Sequence, residues 1–283
     1  MTKQIQVGKL NRLRIERESD HGLFLCDESG ESVLLPNRYV TEQMQIGEET
    51  DVFVYNDSED RLVATTEHPL AKRGEFALMK VTDIVSFGAF VDWGLPKELL
   101  VPKKMQKHPL EKGKSYIIHV AYDARTDRLV GDTHIGHYLR NNPKEMQSLR
   151  EVDLLIVART PMGYKVIADN RYEGMLFHNE IYEKISIGDR KEGYVKKIRD
   201  DGKLDLTLQP PGKAKEEIAV RKVCDALKEA ETNTLPFTYK SDAEAIQQRF
   251  GISKKAWKKA LTKLLDAEEI TLHEEHISLK KRS

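Results

Sequence analysis

A glycine inside a short alternating strand, followed by a small loop and a second apolar strand, occurs three times in this chain. The clearest copy is Phe87-Gly88-Ala89-Phe90-Val91 with Leu99-Leu100-Val101-Pro102. Upstream the layout reads His21-Gly22-Leu23-Phe24-Leu25, then Val33-Leu34-Leu35-Pro36. Downstream it reads Met162-Gly163-Tyr164-Lys165-Val166, then Glu173-Gly174-Met175-Leu176-Phe177-His178. Period-two alternation punctuated by glycine predicts the strands of small barrels. Three copies at a spacing of roughly 70 residues mean one small β-unit used repeatedly. Aromatic side chains on such strands can stack on nucleic-acid bases.

The first repeat reads as strands Lys9–Glu16, Gly22–Cys26, Ser32–Pro36, Thr50–Tyr55 and Arg61–Thr66. The second reads as Glu75–Val85, Gly88–Asp92, Glu98–Pro102, Ser115–Tyr122 and Arg128–Asp132. The third reads as Val152–Ala158, Gly163–Ala168, Gly174–Phe177, Gly193–Arg199 and Lys203–Leu208. Gly47, Gly113 and Gly188 each precede the fourth strand of their repeat. Asn141-Asn142-Pro143 marks a linker and Pro210-Pro211-Gly212 a boundary.

After that boundary the hydrophobic period lengthens to about 3.6 residues. Glu216–Ala230 reads as a helix with Ile218, Val223 and Leu227 on its apolar side. Ser241 is placed to cap a helix Asp242–Phe250, with Glu244 completing a capping box. Ser253 is placed to cap a helix Lys254–Ala267 that buries Trp257, Leu261, Leu264 and Leu265. Ile270–Leu272 and Ile277–Leu279 follow as short strands around Glu274-Glu275. Helix, helix, turn, helix and hairpin predict a winged helix-turn-helix. The expected organisation is a first barrel over 1–70, a second over 71–134, a linker over 135–150, a third barrel over 151–211 and the winged helix over 212–283.

The formal net charge is zero over 283 residues, but it is unevenly spread. Residues 1–70 hold 7 Lys and Arg against 14 Asp and Glu, a balance of −7. The second repeat stands at +3, the segment 135–212 at +1 and the C-terminal segment at +3. A polyanion is repelled by the first block and weakly attracted by the rest. Cys26 and Cys224 are the only cysteines, and both read as reduced core thiols of a cytoplasmic protein. No apolar run approaches the roughly 18 residues of a membrane helix, and the first residues lack a secretion signal.

The barrel repeats resemble the S1 RNA-binding domain, a five-stranded OB fold. Phe87-Gly88-Ala89-Phe90-Val91 is similar to that family's second-strand signature, Glu173-Gly174-Met175-Leu176 to its third-strand signature, and Gly188-Asp189 to the turn before its fourth strand. Three such repeats followed by a winged helix resemble the bacterial conserved virulence factor B family of RNA-binding regulatory proteins, and Gly251-Ile252-Ser253-Lys254-Lys255-Ala256 fits that family as well. The resemblance implies an RNA face built from two second-strand aromatics, a third-strand histidine, and an Asp and an Arg near the last two strands. In the second repeat Phe87, Phe90, Asp123 and Arg128 match, while Pro102 replaces the histidine. In the first repeat His21, Phe24 and Arg61 match, with Pro36 for the histidine. In the third, Met162 and Lys165 take the aromatic positions around Tyr164, His178 or its neighbour Phe177 stands near the histidine position, and Lys203 takes the arginine position.

Each candidate also has a plainer reading. Phe87 and Phe90 lie three residues apart, so a regular strand places them on opposite faces unless Gly88 forms a bulge. Lys196, Lys197 and Arg199 read either as a solvated strand edge or as phosphate contacts, and Lys103, Lys104 and Lys107 likewise. Lys255, Lys258 and Lys259 form either the polar face of an amphipathic helix or a nucleic-acid surface. The acidic Glu274-Glu275 turn disfavours a DNA groove. His134/His137 and His273/His276 have no evident third ligand, so neither pair predicts a metal site. No phosphate loop, nucleophile elbow or two-metal acidic cluster is present, so neither catalysis nor a cofactor is expected. The sequence thus predicts a non-catalytic protein that binds single-stranded RNA and regulates gene expression after transcription, with protein contacts through the acidic first barrel. The alternatives are a DNA-binding winged-helix regulator and a scaffold whose barrels no longer bind nucleic acid.

Overall fold

The computed structural model describes residues 4–140, 146, 150–210, 212–230 and 232–280. Two compact units divide the chain, residues 1–139 and 140–283. The first contains two five-stranded sheets. Its strands are β1 (Leu10–Ser19), β2 (Gly22–Cys26), β3 (Ser32–Pro36), β4 (Glu49–Asn56) and β5 (Leu62–Thr65), then β6 (Phe76–Val85), β7 (Gly88–Asp92), β8 (Leu99–Pro102), β9 (Ser115–Asp123) and β10 (Arg128–Asp132). The second unit holds β11 (Glu151–Thr160), β12 (Gly163–Ala168), β13 (Tyr172–Phe177), β14 (Arg190–Ile198) and β15 (Leu204–Thr207). The C-terminal part follows as α1 (Gly212–Glu229), β16 (Thr234–Leu235), α2 (Ala243–Phe250), α3 (Lys254–Asp266), β17 (Ile270–Leu272) and β18 (Ile277–Leu279).

The first and third sheets close into barrels, in the orders β1-β2-β3-β5-β4 and β11-β12-β13-β15-β14. A parallel pairing of β3 with β5, and of β13 with β15, closes each. The second sheet runs β10-β9-β6-β7-β8 without that closing ladder. Its edges still pack together. A Cβ on Gly131 of β10 would lie 2.7 Å from Val101 Cγ2 of β8, so side-chain packing takes the place of hydrogen bonds.

One scaffold recurs in all three. The glycine that opens the second strand is required because the next strand passes directly over it. A Cβ at Gly22, Gly88 or Gly163 would stand 2.0, 2.5 or 1.9 Å from the carbonyl oxygen of Leu35, Val101 or Leu176. The turn glycines Gly47, Gly113 and Gly188 donate their N–H groups to Ile15, Val81 and Ile156, each at 2.8 Å. Immediately after those three residues, at Glu16, Thr82 and Val157, the first strand slips register in a bulge. The bulge therefore lies on the first strand of each repeat, not at Gly88. It also explains why alternation suggests an end for the first strand near Glu16 while the strand continues to Ser19: an extra residue reverses the inside–outside phase.

Each core follows the alternation. In β1, Leu13 and Ile15 face in and Arg12 and Arg14 face out. The first and second sheets share a core, because Phe53 and Tyr55 of β4 meet Trp93 edge-on at 5.9 and 6.3 Å. The segment expected as the start of a linker is instead a 3-10 turn, Ile135–Tyr138. Its Tyr138 ring stacks on buried His119 at 3.6 Å and its hydroxyl donates to buried Asp132 at 2.8 Å. The Asn141-Asn142-Pro143 break and Pro211 lie outside the described residues.

The C-terminal part folds around Trp257, which is fully buried beside Phe237 and Phe250 and donates its indole N–H to the Thr238 carbonyl at 2.9 Å. Ser253 caps α3 as expected, accepting from Ala256 N. Asp242 rather than Ser241 caps α2, accepting from the N–H groups of Glu244 and Ala245; Ser241 Oγ accepts from Thr238 N instead. Val223 and Leu227 are buried as expected, whereas Ile218 is exposed. Cys26 is buried, but Cys224 is only half-buried, and burial pushes its thiol up to about 11. The two-residue strand β16 joins the hairpin in the order β16-β18-β17. It carries too few residues to show a period.

Candidate nucleic-acid interface

In the second sheet Phe87 is the residue just before β7 and is 58% exposed; Phe90 is half-buried. Phe87 precedes the strand, so the alternation rule does not separate the two rings. Their centroids lie 6.4 Å apart at 88°. Lys103 follows β8, is exposed, and its backbone N–H donates to the Phe87 carbonyl at 3.0 Å. The same bond recurs as Asn37 to His21 and as His178 to Met162.

The other predicted residues of this sheet divide between two depressions. Arg128 lines a groove of about 570 Å³ together with Phe87 and Phe90, and it is ion-paired to Asp60 of the first barrel. Lys104 and Asp123 line a separate cavity of about 380 Å³, with Arg73, Tyr122 and His119. Asp123 accepts from Arg125 N at 3.1 Å, and that bond and the nearby Lys104 hold its carboxyl below the usual range.

The first barrel has the same scaffold with a different surface. Phe24 is half-buried and the Arg17 guanidinium lies 3.6 Å over its ring. After the bulge Arg17 is the cross-strand neighbour of Phe24, whereas Asp83 occupies that position opposite Phe90. Arg61 is tied to Asp57 at 2.8 Å and to Glu59 at 2.9 Å. His21 remains exposed. Sequence reasoning missed Arg17 because its pairing appears only once the bulge is located.

In the third barrel Tyr164 and His178 meet edge-on at 6.0 Å. Most of the basic residues here already have acidic neighbours. Lys165 and Lys203 share Glu173, Lys196 pairs with Glu180, and Arg199 bonds Asp205 at 2.6 Å while lying 5.6 Å from the Phe177 ring. Lys197 is exposed opposite Asp205 in the ladder.

On α3, Lys259 and Lys263 turn back to Glu216 of α1, at 2.7 and 2.9 Å. Those lysines pull the Glu216 carboxyl down to about 2. Lys255 and Lys258 remain exposed. At the wing, His273 and His276 stack on each other at 4.2 Å. Among the described residues no group of three or more His, Cys, Asp and Glu side chains is placed to hold a metal ion, and no helix is long and apolar enough to cross a membrane.

Comparison with known proteins agrees with this architecture. The S1 domain family matches residues 7–67, and the CvfB-like winged helix domain family matches residues 221–279. The S1 match falls on the first barrel, whose second-strand signature is weaker than that of the second. The protein YitL of Bacillus subtilis is 29% identical over 266 residues, covering 91% of this chain and 88% of its own. Conserved virulence factor B of Staphylococcus haemolyticus is 25% identical over 290 residues, covering 98% and 95%. A solved structure, of a multidomain protein with nucleic acid binding domains from Streptococcus pneumoniae, is 24% identical with a TM-score of 0.41, covering 97% and 98%. Both matched domain types point to nucleic-acid binding. The chain carries an S1 domain at 7–67 and a CvfB-like winged helix at 221–279, and it resembles the conserved virulence factor B proteins over nearly its whole length.

Proposed function

We propose that this protein binds single-stranded RNA without catalysis, with the strongest contacts on the second barrel, and regulates gene expression after transcription. The observation that carries the reading is the pairing of exposed Phe87 with half-buried Phe90 at an S1-type second strand, with Lys103 bonded to the Phe87 backbone. Stacking on such rings contributes ~1–3 kcal/mol per base and tolerates any sequence, because every base has a π-face. The Arg128–Asp60 pair is solvent-exposed on both sides, so a phosphate can replace Asp60 at little cost. Lys197, Lys255 and Lys258 supply further phosphate contacts in the second unit. Lys259 is already neutralised by Glu216, and Glu274-Glu275 sits in the wing turn, which favours RNA over a DNA groove.

The test is fluorescence anisotropy with a single-stranded RNA and a duplex DNA of equal length, at several salt concentrations. Tighter binding to the RNA, weakened in Phe87→Ala/Phe90→Ala, is the expected result. Tighter binding to duplex DNA identifies a DNA-binding regulator, and absence of RNA affinity at low salt identifies a protein scaffold.

A further inference from the structure

The cavity of about 380 Å³ in the first unit shares no lining residue with the groove at Phe87 and Phe90. Its wall is cationic. Arg73, before β6, Lys104, in the turn after β8, and Arg125, between β9 and β10, all line it. Lys104 and Arg125 are exposed and Arg73 is half-buried, so a solute can reach all three. The size of the cavity falls within the range of small-ligand sites.

These cations have no carboxylate of their own. Arg61, Lys97, Lys112 and Arg128 of the same unit are each ion-paired. Among the described residues Arg73, Lys104 and Arg125 form no salt bridge, and the Arg73 guanidinium lies 5.0 Å from the centre of the Tyr122 ring. The one carboxylate on the wall is Asp123, which is engaged by its own turn through Arg125 N at 3.1 Å and the Thr126 side chain. Asp127 is bonded to the Tyr122 hydroxyl, and Asp132 to Tyr138 and His134. Burial pushes His119 down to about 4, so it adds no charge near neutral pH. Three positive charges therefore face one negative charge across the cavity. Such a wall repels itself, and a bound anion relieves the repulsion.

The excess of charge selects the class of anion. A backbone phosphodiester carries about one negative charge, whereas a phosphate with a single ester bond carries about −1.5 to −2 at pH 7 and three strong acceptor oxygens. Arginine forks onto such oxygens and lysine meets them as a point charge. We infer that this cavity takes the terminal phosphate of a nucleotide, held by Arg73, Lys104 and Arg125. The group belongs to the end of a bound RNA or to a free mononucleotide, which present the same phosphomonoester. The turn Lys103–Met105 connects the cavity to the Phe87 face, since Lys103 is bonded to the Phe87 backbone and Lys104 lines the cavity. The site goes beyond the RNA-binding reading and stands without it, because a mononucleotide carries the same group.

The experiment uses the full chain. Single-stranded RNAs of one sequence with an internal fluorescein, bearing a 5′-phosphate, a 3′-phosphate or hydroxyls at both ends, are compared by anisotropy. Adenosine 5′-monophosphate is compared with adenosine by calorimetry. At least one phosphorylated ligand should bind about five- to tenfold more tightly than its hydroxyl counterpart, and the arm that does so identifies the source. Lys104→Gln/Arg125→Gln should bring that ratio within about twofold. Ala124→Glu adds a carboxylate to the same wall from an exposed turn, leaves every cation in place and should have the same effect, so it serves if the double variant fails to fold. General attraction to the RNA backbone acts on all three RNAs alike and leaves the ratio unmoved. Ratios within about twofold in the wild-type protein, or a preference that persists in the folded variants, overturn the cavity. RNA binding that is weakened by Phe87→Ala/Phe90→Ala then leaves the RNA reading standing. Binding of the mononucleotide by a protein that binds none of the RNAs keeps the cavity and overturns the RNA reading.

Discussion

The first and second barrels have the same strand sequence, the same obligatory glycine and the same bulge, yet they present different surfaces. In the first, Arg17 covers Phe24 and Arg61 is held by Asp57 and Glu59 on a block of net charge −7. In the second, Asp83 stands opposite Phe90, Phe87 is open, and Lys103 lies beside it. A family signature in sequence therefore specifies a barrel more firmly than it specifies a binding face. The residue after the bulge differs, and only Arg17 of the first barrel lays a guanidinium over the ring opposite it.

The scaffold itself provides the largest test of that comparison. Gly22→Ala and Gly88→Ala should each destabilise the first unit by about 3 kcal/mol, because both place a Cβ against a strand carbonyl. Denaturant unfolding checks this, and a small loss in either would break the equivalence of the two scaffolds. The faces should then diverge. Phe87→Ala/Phe90→Ala should reduce RNA affinity by about tenfold or more, given ~1–3 kcal/mol per stacked base, while Phe24→Ala changes it by less than about threefold. Anisotropy titration measures both, and equal losses would show that the Arg17-covered ring is also used.

His119 provides a third contrast, because it occupies the ladder position that Phe53 has in the first barrel. Burial pushes its pKa down to about 4. In the unfolded chain it titrates near 6.5, so the unfolded state binds more protons between those values and stability falls on acidification. The full loss is about 3 kcal/mol at a pH below both values. His119→Phe copies the first barrel's residue and should flatten the stability profile of the first unit between pH about 6.5 and about 4. An unchanged profile in thermal melts across that range would exclude His119 as its source. The smallest effect belongs to single charges. Lys103→Ala should lower the salt slope of RNA binding by about one, whereas Arg61→Ala should leave it unchanged.

Much of this molecule is legible in its sequence because its periods are local. Alternation locates fifteen strands of the three repeats, and the lengthened period locates all three helices. The obligatory glycines are visible as repeats, although their purpose, clearance of a carbonyl on the next strand, is not. Phe87 and Phe90 are legible as a pair through their resemblance to the S1 second strand. Their edge-on contact is not, since it depends on β7 beginning one residue after Phe87. Asp60, Arg17 and Trp93 carry no signal of their own.

The amino-acid sequence by itself determined the three β-repeats, the winged helix after Pro210 and the acidic character of the first block, because each depends on neighbours along the chain. Tertiary structure alone decided which charges remain available. Arg128 meets Asp60, Lys259 meets Glu216 and Arg17 covers Phe24 only after separate strands and helices are brought together. It also decided the groove beside Phe87 and Phe90, whose walls come from two sheets.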